Sequence, residues 1–229
     1  MGGITDDLLS GIRTTIGPDP GIRIPRAQVI EQVAEKLTKF NAAVLLGESG
    51  SGKSAIAKQL ARSVSFGRVI WLDQEFFEGS GLNAIAKSHG LVHPLPRLFK
   101  SSGKGKNLLV LDAEEKFSPR SRGNACELIK SLELQSADSR WKLILTCQPV
   151  SWEGVQQILN VSALGRPQEI IHPISPPEIT ELSVAMGALT RLQPLSWRPD
   201  LLEILRNLKI SSKYCESPDR VRAGSVNPA

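Results

Sequence analysis

Apolar residues follow two kinds of pattern along this chain. Short continuous runs, above all Ala42-Ala43-Val44-Leu45-Leu46 and Leu108-Leu109-Val110-Leu111, are bounded by polar or turn residues and read as strands buried on both faces. Arg68–Asp73, Asn107–Asp112, Trp141–Thr146 and Gln168–His172 are the other strand candidates. Between them, apolar residues recur at helical spacing. Val29, Ile30, Val33, Ala34, Leu37 and Phe40 make one amphipathic stripe, and Ala125, Leu128, Ile129 and Leu132 make another. A further helix is expected from about Lys53 to Val64. Five strands alternating with helices predict an α/β fold, a parallel five-stranded sheet covered by helices on both faces.

The two ends have a different texture. Gly17-Pro18-Asp19-Pro20 is rich in turn formers and should separate an arm, residues 1–20, from a core spanning 21–174. Ser175-Pro176-Pro177-Glu178 has the form of a capping box with proline at the first helical position. It predicts a helix carrying Ile179, Leu182, Val184 and Met186, followed by a second through Leu201, Leu202, Ile204, Leu205 and Leu208. These two would form a small helical lid over 175–210. Residues 211–229 are rich in Ser, Pro, Gly and Arg and read as a disordered tail.

Composition changes this picture little. With 229 residues, 41% hydrophobic and 22% charged, and a mean hydropathy of −0.10, the chain has globular proportions. No apolar stretch approaches the ~18–20 residues of a membrane span, and the first residues lack a signal peptide's pattern, so a cytoplasmic protein is expected. Asn160-Val161-Ser162 is then a chance match to a glycosylation acceptor. Cys126, Cys147 and Cys215 show neither disulfide nor zinc spacing, and His89, His93 and His172 are dispersed. Trp71, Trp141, Trp152 and Trp197 sit in apolar patterns and read as core. The net charge of +5 is local: residues 41–106 hold nine Lys/Arg against four Asp/Glu, and every other segment balances. With only 5% aromatic residues, that excess fits a polyanionic small ligand better than a nucleic-acid face.

The chemistry lies in Gly47-Glu48-Ser49-Gly50-Ser51-Gly52-Lys53-Ser54, which satisfies G-x-x-x-x-G-K-[ST] between a buried strand and an amphipathic helix. Glycines allow the backbone amides to turn inward around phosphates at the positive end of the helix. Lys53 is placed for the β- and γ-phosphates, the Ser54 hydroxyl for Mg²⁺, and Ala55 closes the phosphate-binding set. A strand ending in Asp112 follows about 60 residues later. Its carboxylate is placed to hold the water shell of Mg²⁺, and Glu114 or Glu115 just beyond it to orient and deprotonate the attacking water. Thr146 and Gln148 stand at another strand's carboxyl end, where side chains face the ligand crevice of an open α/β sheet, and are candidates for the γ-phosphate or the water. ATP with Mg²⁺ is the expected cofactor pair. No guanine-reading Asn-Lys-x-Asp segment follows the core strands.

Taken together, Ile24-Pro25-Arg26 before a helix, GESGSGKS, the Val69–Asp73 strand, Leu91–Leu98, LLVLDAEE and LILTCQP resemble the STAND NTPases, an AAA+-like branch of P-loop ATPases, over roughly residues 21–210. The resemblance implies an AAA+-like P-loop NTPase fold, with Arg26 near the nucleotide although Pro25 replaces the family's glycine. It implies Asp112 as the Mg²⁺-associated aspartate and Glu115, ahead of Glu114, as catalytic base. Ala113 departs from the AAA+ habit of glutamate directly after the aspartate. Thr146-Cys147-Gln148 aligns with a Thr-Thr-Arg sensor, but Gln148 carries no charge. Arg166 lies where AAA+ proteins often carry an arginine finger, a surface arginine being the alternative.

The activity implied is slow ATP hydrolysis in a signalling or defence switch. The winged helix, effector and sensor of such a protein do not fit after the lid, so a truncated module, or one completed by partners or by its own copies, is expected. Two alternatives stand beside it. One is a DNA-associated ATPase helper, resembling loaders of helicases or transposases, using the basic stretch Arg97–Lys106. The other is a non-catalytic nucleotide-binding remnant. No membrane association is expected.

Overall fold

The computed structural model describes residues 26–64, 66–100, 105–112, 116–134, 136, 138–156 and 167–177, with positions 12, 14, 24, 206 and 207. Five strands form one parallel sheet: β1 (Ala42–Leu46), β2 (Val69–Leu72), β3 (Asn107–Leu111), β4 (Trp141–Cys147) and β5 (Ile171–Pro173), in the spatial order β2-β3-β4-β1-β5. The helices are α1 (Ala27–Phe40), α2 (Lys53–Ser63), α3 (Leu82–Ser88), α4 (Leu95–Lys100) and α5 (Pro119–Ser131).

Side chains alternate between the two faces of a strand, so the register says which residues share a side. Ala42 and Val44 of β1, Ile70 and Leu72 of β2, Leu109 and Leu111 of β3, and Leu143 and Leu145 of β4 lie on one face. That face packs in a single buried cluster with Phe76, Phe77, Ile85, Phe99 and Leu128, contributed by α3, α4, α5 and the turn after β2. Ala43, Leu45, Leu108, Val110 and Ile144 turn the other way, toward buried residues of α1 and α2 such as Val33, Leu37, Ile56 and Leu60. Trp71 and Trp141 are buried as their patterns predict, and Trp152 packs half-buried against the core. Trp197 lies outside the described residues.

Expectation and structure differ at the last strand. Gln168–His172 was expected to be extended, but Pro167–Ile170 forms a helical turn and only Ile171–Pro173 pairs, with Val44–Leu46 of β1. Proline at the first position presets a helical φ, and the short pairing segment is too brief for alternation to reveal. Residues 174–177 form no regular element, Arg206 stands in a turn and Asn207 in a bend, and the residues of the two expected lid helices lie otherwise outside the described residues. The rest of 178–210, residues 211–229 and most of 1–20 lie outside the described residues.

Lys142 belongs to the fully buried strand β4, 4% exposed on the face turned to α1. Its ammonium donates to Leu37 O at 2.6 Å and to Asn41 Oδ1 at 2.5 Å. The last carbonyls of a helix have no intrahelical donor, and here a lysine supplies one. Asn41 takes the left-handed conformation just past α1 (φ 57°) and ties the helix end to Leu134 O through its own amide. Burial, then the Lys106 charge, pushes the Lys142 ammonium down from 10.5 to about 8.

Below about pH 8 both folded and unfolded chains hold that proton. Between about 8 and 10.5 the unfolded chain holds more, so this group's contribution to stability rises with pH through that window. Urea unfolding of the parent and Lys142→Met from about pH 7.5 to about 10 should show the parent gaining relative to the variant. A difference independent of pH would contradict it.

Candidate nucleotide site

The chain divides into two units. The first comprises Met1–Ile12, Ala27–Gly47 and Lys53–Pro173, and the second Arg13–Arg26, Glu48–Gly52 and Ile174–Ala229.

In the first unit, register brings the chemistry together. Leu111 of β3 pairs with Leu145 of β4, so the next residues along, Asp112 and Thr146, stand side by side at the carboxyl ends of their strands. Both occupy alternation positions that turn toward α2, and Ser54 is the second residue of that helix. The Asp112 carboxylate oxygen Oδ1 accepts the Ser54 hydroxyl at 2.8 Å and the Thr146 hydroxyl at 2.5 Å. Hydrogen bonds to an ionised acceptor are short and roughly twice as strong as neutral ones. Thr146 is fully buried, with its hydroxyl on Asp112. That contact helps to hold the aspartate in place, and the strand register sets it.

Lys53 is 8% exposed and donates to Gly47 O at 2.7 Å, and Gly47 N donates to Cys147 O at 3.2 Å. The lysine thus folds back on the residue that opens the loop, and the loop's first residue is anchored to β4. Gln148 follows Cys147 with an extended backbone and precedes the turn Pro149–Ser151.

In the second unit, Ser51 N donates to Glu48 O, and Gly50 and Gly52 hold φ values of 85° and 95°. That is the left-handed region open to glycine at no steric cost. The hydroxyl of Ser51 is buried without a hydrogen-bond partner among the described residues. A buried polar atom left unpaired costs roughly 1–3 kcal/mol, and a phosphate oxygen is the kind of group that would satisfy it. Asn207 donates to Ser49 O at 3.0 Å, and a Cβ on Gly50 would fall 2.1 Å from Asn207 Oδ1, so any larger residue there would have to displace the Asn207 side chain. Nothing in the leucine-rich stretch around Asn207 signals this contact in the sequence. Arg26 donates to Ser175 O at 3.1 Å.

The donors of the first unit fit Mg²⁺, and those of the second, taken by themselves, fit an anion. Ser54, Asp112 and Thr146 offer only oxygen, the ligand type a hard cation takes. Ser51 and the glycine-shaped loop offer donors to an anion. Glu114, Glu115 and Arg166 lie outside the described residues. Among those described, no cluster of three or more His, Cys, Asp or Glu could hold a metal, and no helix is long and apolar enough to cross a membrane.

Solved structures share this architecture. The chain aligns with Cdc6p from Pyrobaculum aerophilum at a TM-score of 0.52 and 18% identity, covering 88% of this chain and 57% of that one. It aligns with the Walker-type ATPase paby2304 of Pyrococcus abyssi at 0.55 and 13% identity, covering 94% and 73%. Domain III of the Thermotoga maritima replication initiation protein DnaA gives 0.54 and 15%, covering 87% and 85%. The chain shares the fold of these structures, a parallel five-stranded sheet with helices on both faces. This chain therefore spans little more than half the length of the Cdc6p chain it resembles. The sequence matches no protein-family profile, and no curated protein matches it.

Proposed function

We propose that this chain is an ATP-operated switch module, binding ATP with Mg²⁺ at Gly47–Ser54 and hydrolysing it slowly, as part of a STAND-like signalling or defence ATPase. One observation carries the reading. Ser54 and Asp112, 58 residues apart and singled out by motif alone, share a hydrogen bond. The shared fold and the likeness to a Walker-type ATPase support ATP as the nucleotide.

In this reading the loop amides and Lys53 bind the phosphates, and Ser51 supplies a further hydroxyl donor. Ser54 and Asp112 hold the metal, with Thr146 keeping the aspartate in place. Held there, Mg²⁺ would supply positive charge to offset that of the phosphates. Glu115, with Glu114 as the alternative, takes the proton from the attacking water. Gln148 donates or accepts hydrogen bonds there but adds no positive charge. Arg166 from a second copy is the proposed source of the missing cation, which makes the isolated chain a weak ATPase.

Asp112→Asn tests the reading. The amide keeps the size of the carboxylate but removes the charge that Mg²⁺ requires. ATP should still bind in the presence of a chelator, whereas Mg²⁺-dependent hydrolysis should fall by at least about tenfold, which is ~1.4 kcal/mol on the barrier. Isothermal titration beside a phosphate-release assay reads both, and unchanged turnover would remove Asp112 from the site. A second reading, a DNA-associated ATPase helper, is favoured by the likeness to domain III of a replication initiation protein.

A further inference from the structure

Within residues 41–106, the acidic Asp73, Glu75 and Glu78 follow the carboxyl end of β2. Three cations stand at the opposite, amino-terminal edge. Leu108 N donates to Arg68 O, Gly67 N to Lys106 O, and Asn107 N to Arg140 O. These bonds make Arg68, Lys106 and Arg140 neighbours in space, each standing just before its strand, β2, β3 or β4. Adjacent strands lie ~4.8 Å apart, so the three cations span about 10 Å.

All three are exposed, and none joins an ion pair among the described residues. Arg62, in the last turn of α2, is exposed and stands six residues before Arg68. The described carboxylates nearby are Glu133, already paired with Lys100 at 3.3 Å, and Asp138.

We propose that the amino-terminal edge of the sheet, through Arg68, Lys106 and Arg140, binds the phosphate backbone of duplex DNA without reading its sequence. Lys106 and Arg140, on one face by register, and Arg68, on the other, meet at this edge as cations complementary to phosphates, and phosphate contacts alone carry no sequence information. Single-stranded DNA is disfavoured because its binding relies on exposed aromatic faces. Among the described residues of this edge Trp141 is buried and Phe66 half-buried. The proposal deepens the DNA-associated reading but needs neither nucleotide binding nor hydrolysis.

Fluorescence anisotropy of two unrelated labelled 30-base-pair duplexes, titrated with the full chain from about 25 to about 150 mM KCl, tests it. Both duplexes should bind equally. The slope of log K against log salt should be roughly −2.7 for three phosphate contacts. R68E/K106E/R140E should bind at least about tenfold more weakly, with an unchanged circular-dichroism melt. K106E alone should lose part of the affinity, which keeps the test informative should the triple variant misfold. Unchanged DNA affinity in the folded triple variant would overturn the proposal. Binding of poly-L-glutamate but not DNA would overturn it too, in favour of a different partner class.

Discussion

Lys53→Ala is expected to weaken Mg²⁺-dependent ATP binding by roughly a hundredfold, about 2.7 kcal/mol, while the protein stays folded. A hydrogen bond from an ionised donor contributes ~1.5–3 kcal/mol, and the lysine also supplies a full positive charge beside the phosphates. Without ligand, its ammonium rests on Gly47 O at 2.7 Å. Truncation leaves that carbonyl short of one donor, so a modest loss of thermal stability accompanies the loss of affinity. Cooperative melting of the variant together with a failed ATP titration is the expected pair of results. Affinity equal to the parent's, in a folded variant, would remove the phosphate loop from the proposed function.

Glu115→Gln should leave ATP binding near the parent's value and lower turnover by about 10²–10⁴-fold, the usual contribution of a general base. The amide matches the carboxylate in size and still hydrogen-bonds water, but it cannot accept the proton. Glu114→Gln should do much less. Single-turnover hydrolysis separates the two, since it reads chemistry apart from binding and product release. A reversed pattern would make Glu114 the base and shift the correspondence with the STAND NTPases by one residue. No effect from either change in a hydrolysing parent would mean that the water is activated elsewhere.

The two ends of the site were legible to different degrees. Gly47–Ser54 could be read outright, because a phosphate loop is local: eight consecutive residues carry the glycines, the lysine and the hydroxyl. Asp112 was legible as a strand end at a suitable distance. Its tie to Thr146 was not, since that depends on Leu111 pairing with Leu145. Asn207 against Gly50 had no local signature at all.

Hydrophobic patterning by itself determined the α/β frame, the four longer strands and the helices α1, α2 and α5, whereas α3 and α4 carried no periodicity read in the sequence. Periodicities of two and 3.6 residues report which side of a segment avoids water, and a sheet buried on both sides leaves continuous apolar runs. Tertiary structure alone decided the rest. It set Pro167–Ile170 as a helical turn before a three-residue β5, seated the Lys142 ammonium on the end of α1, and lined up Arg68, Lys106 and Arg140 along one edge. Those outcomes join residues tens to more than a hundred positions apart, and their partners are chosen by strand order and register. Both are fixed only when the helices close on the sheet and the buried polar groups must each find a partner.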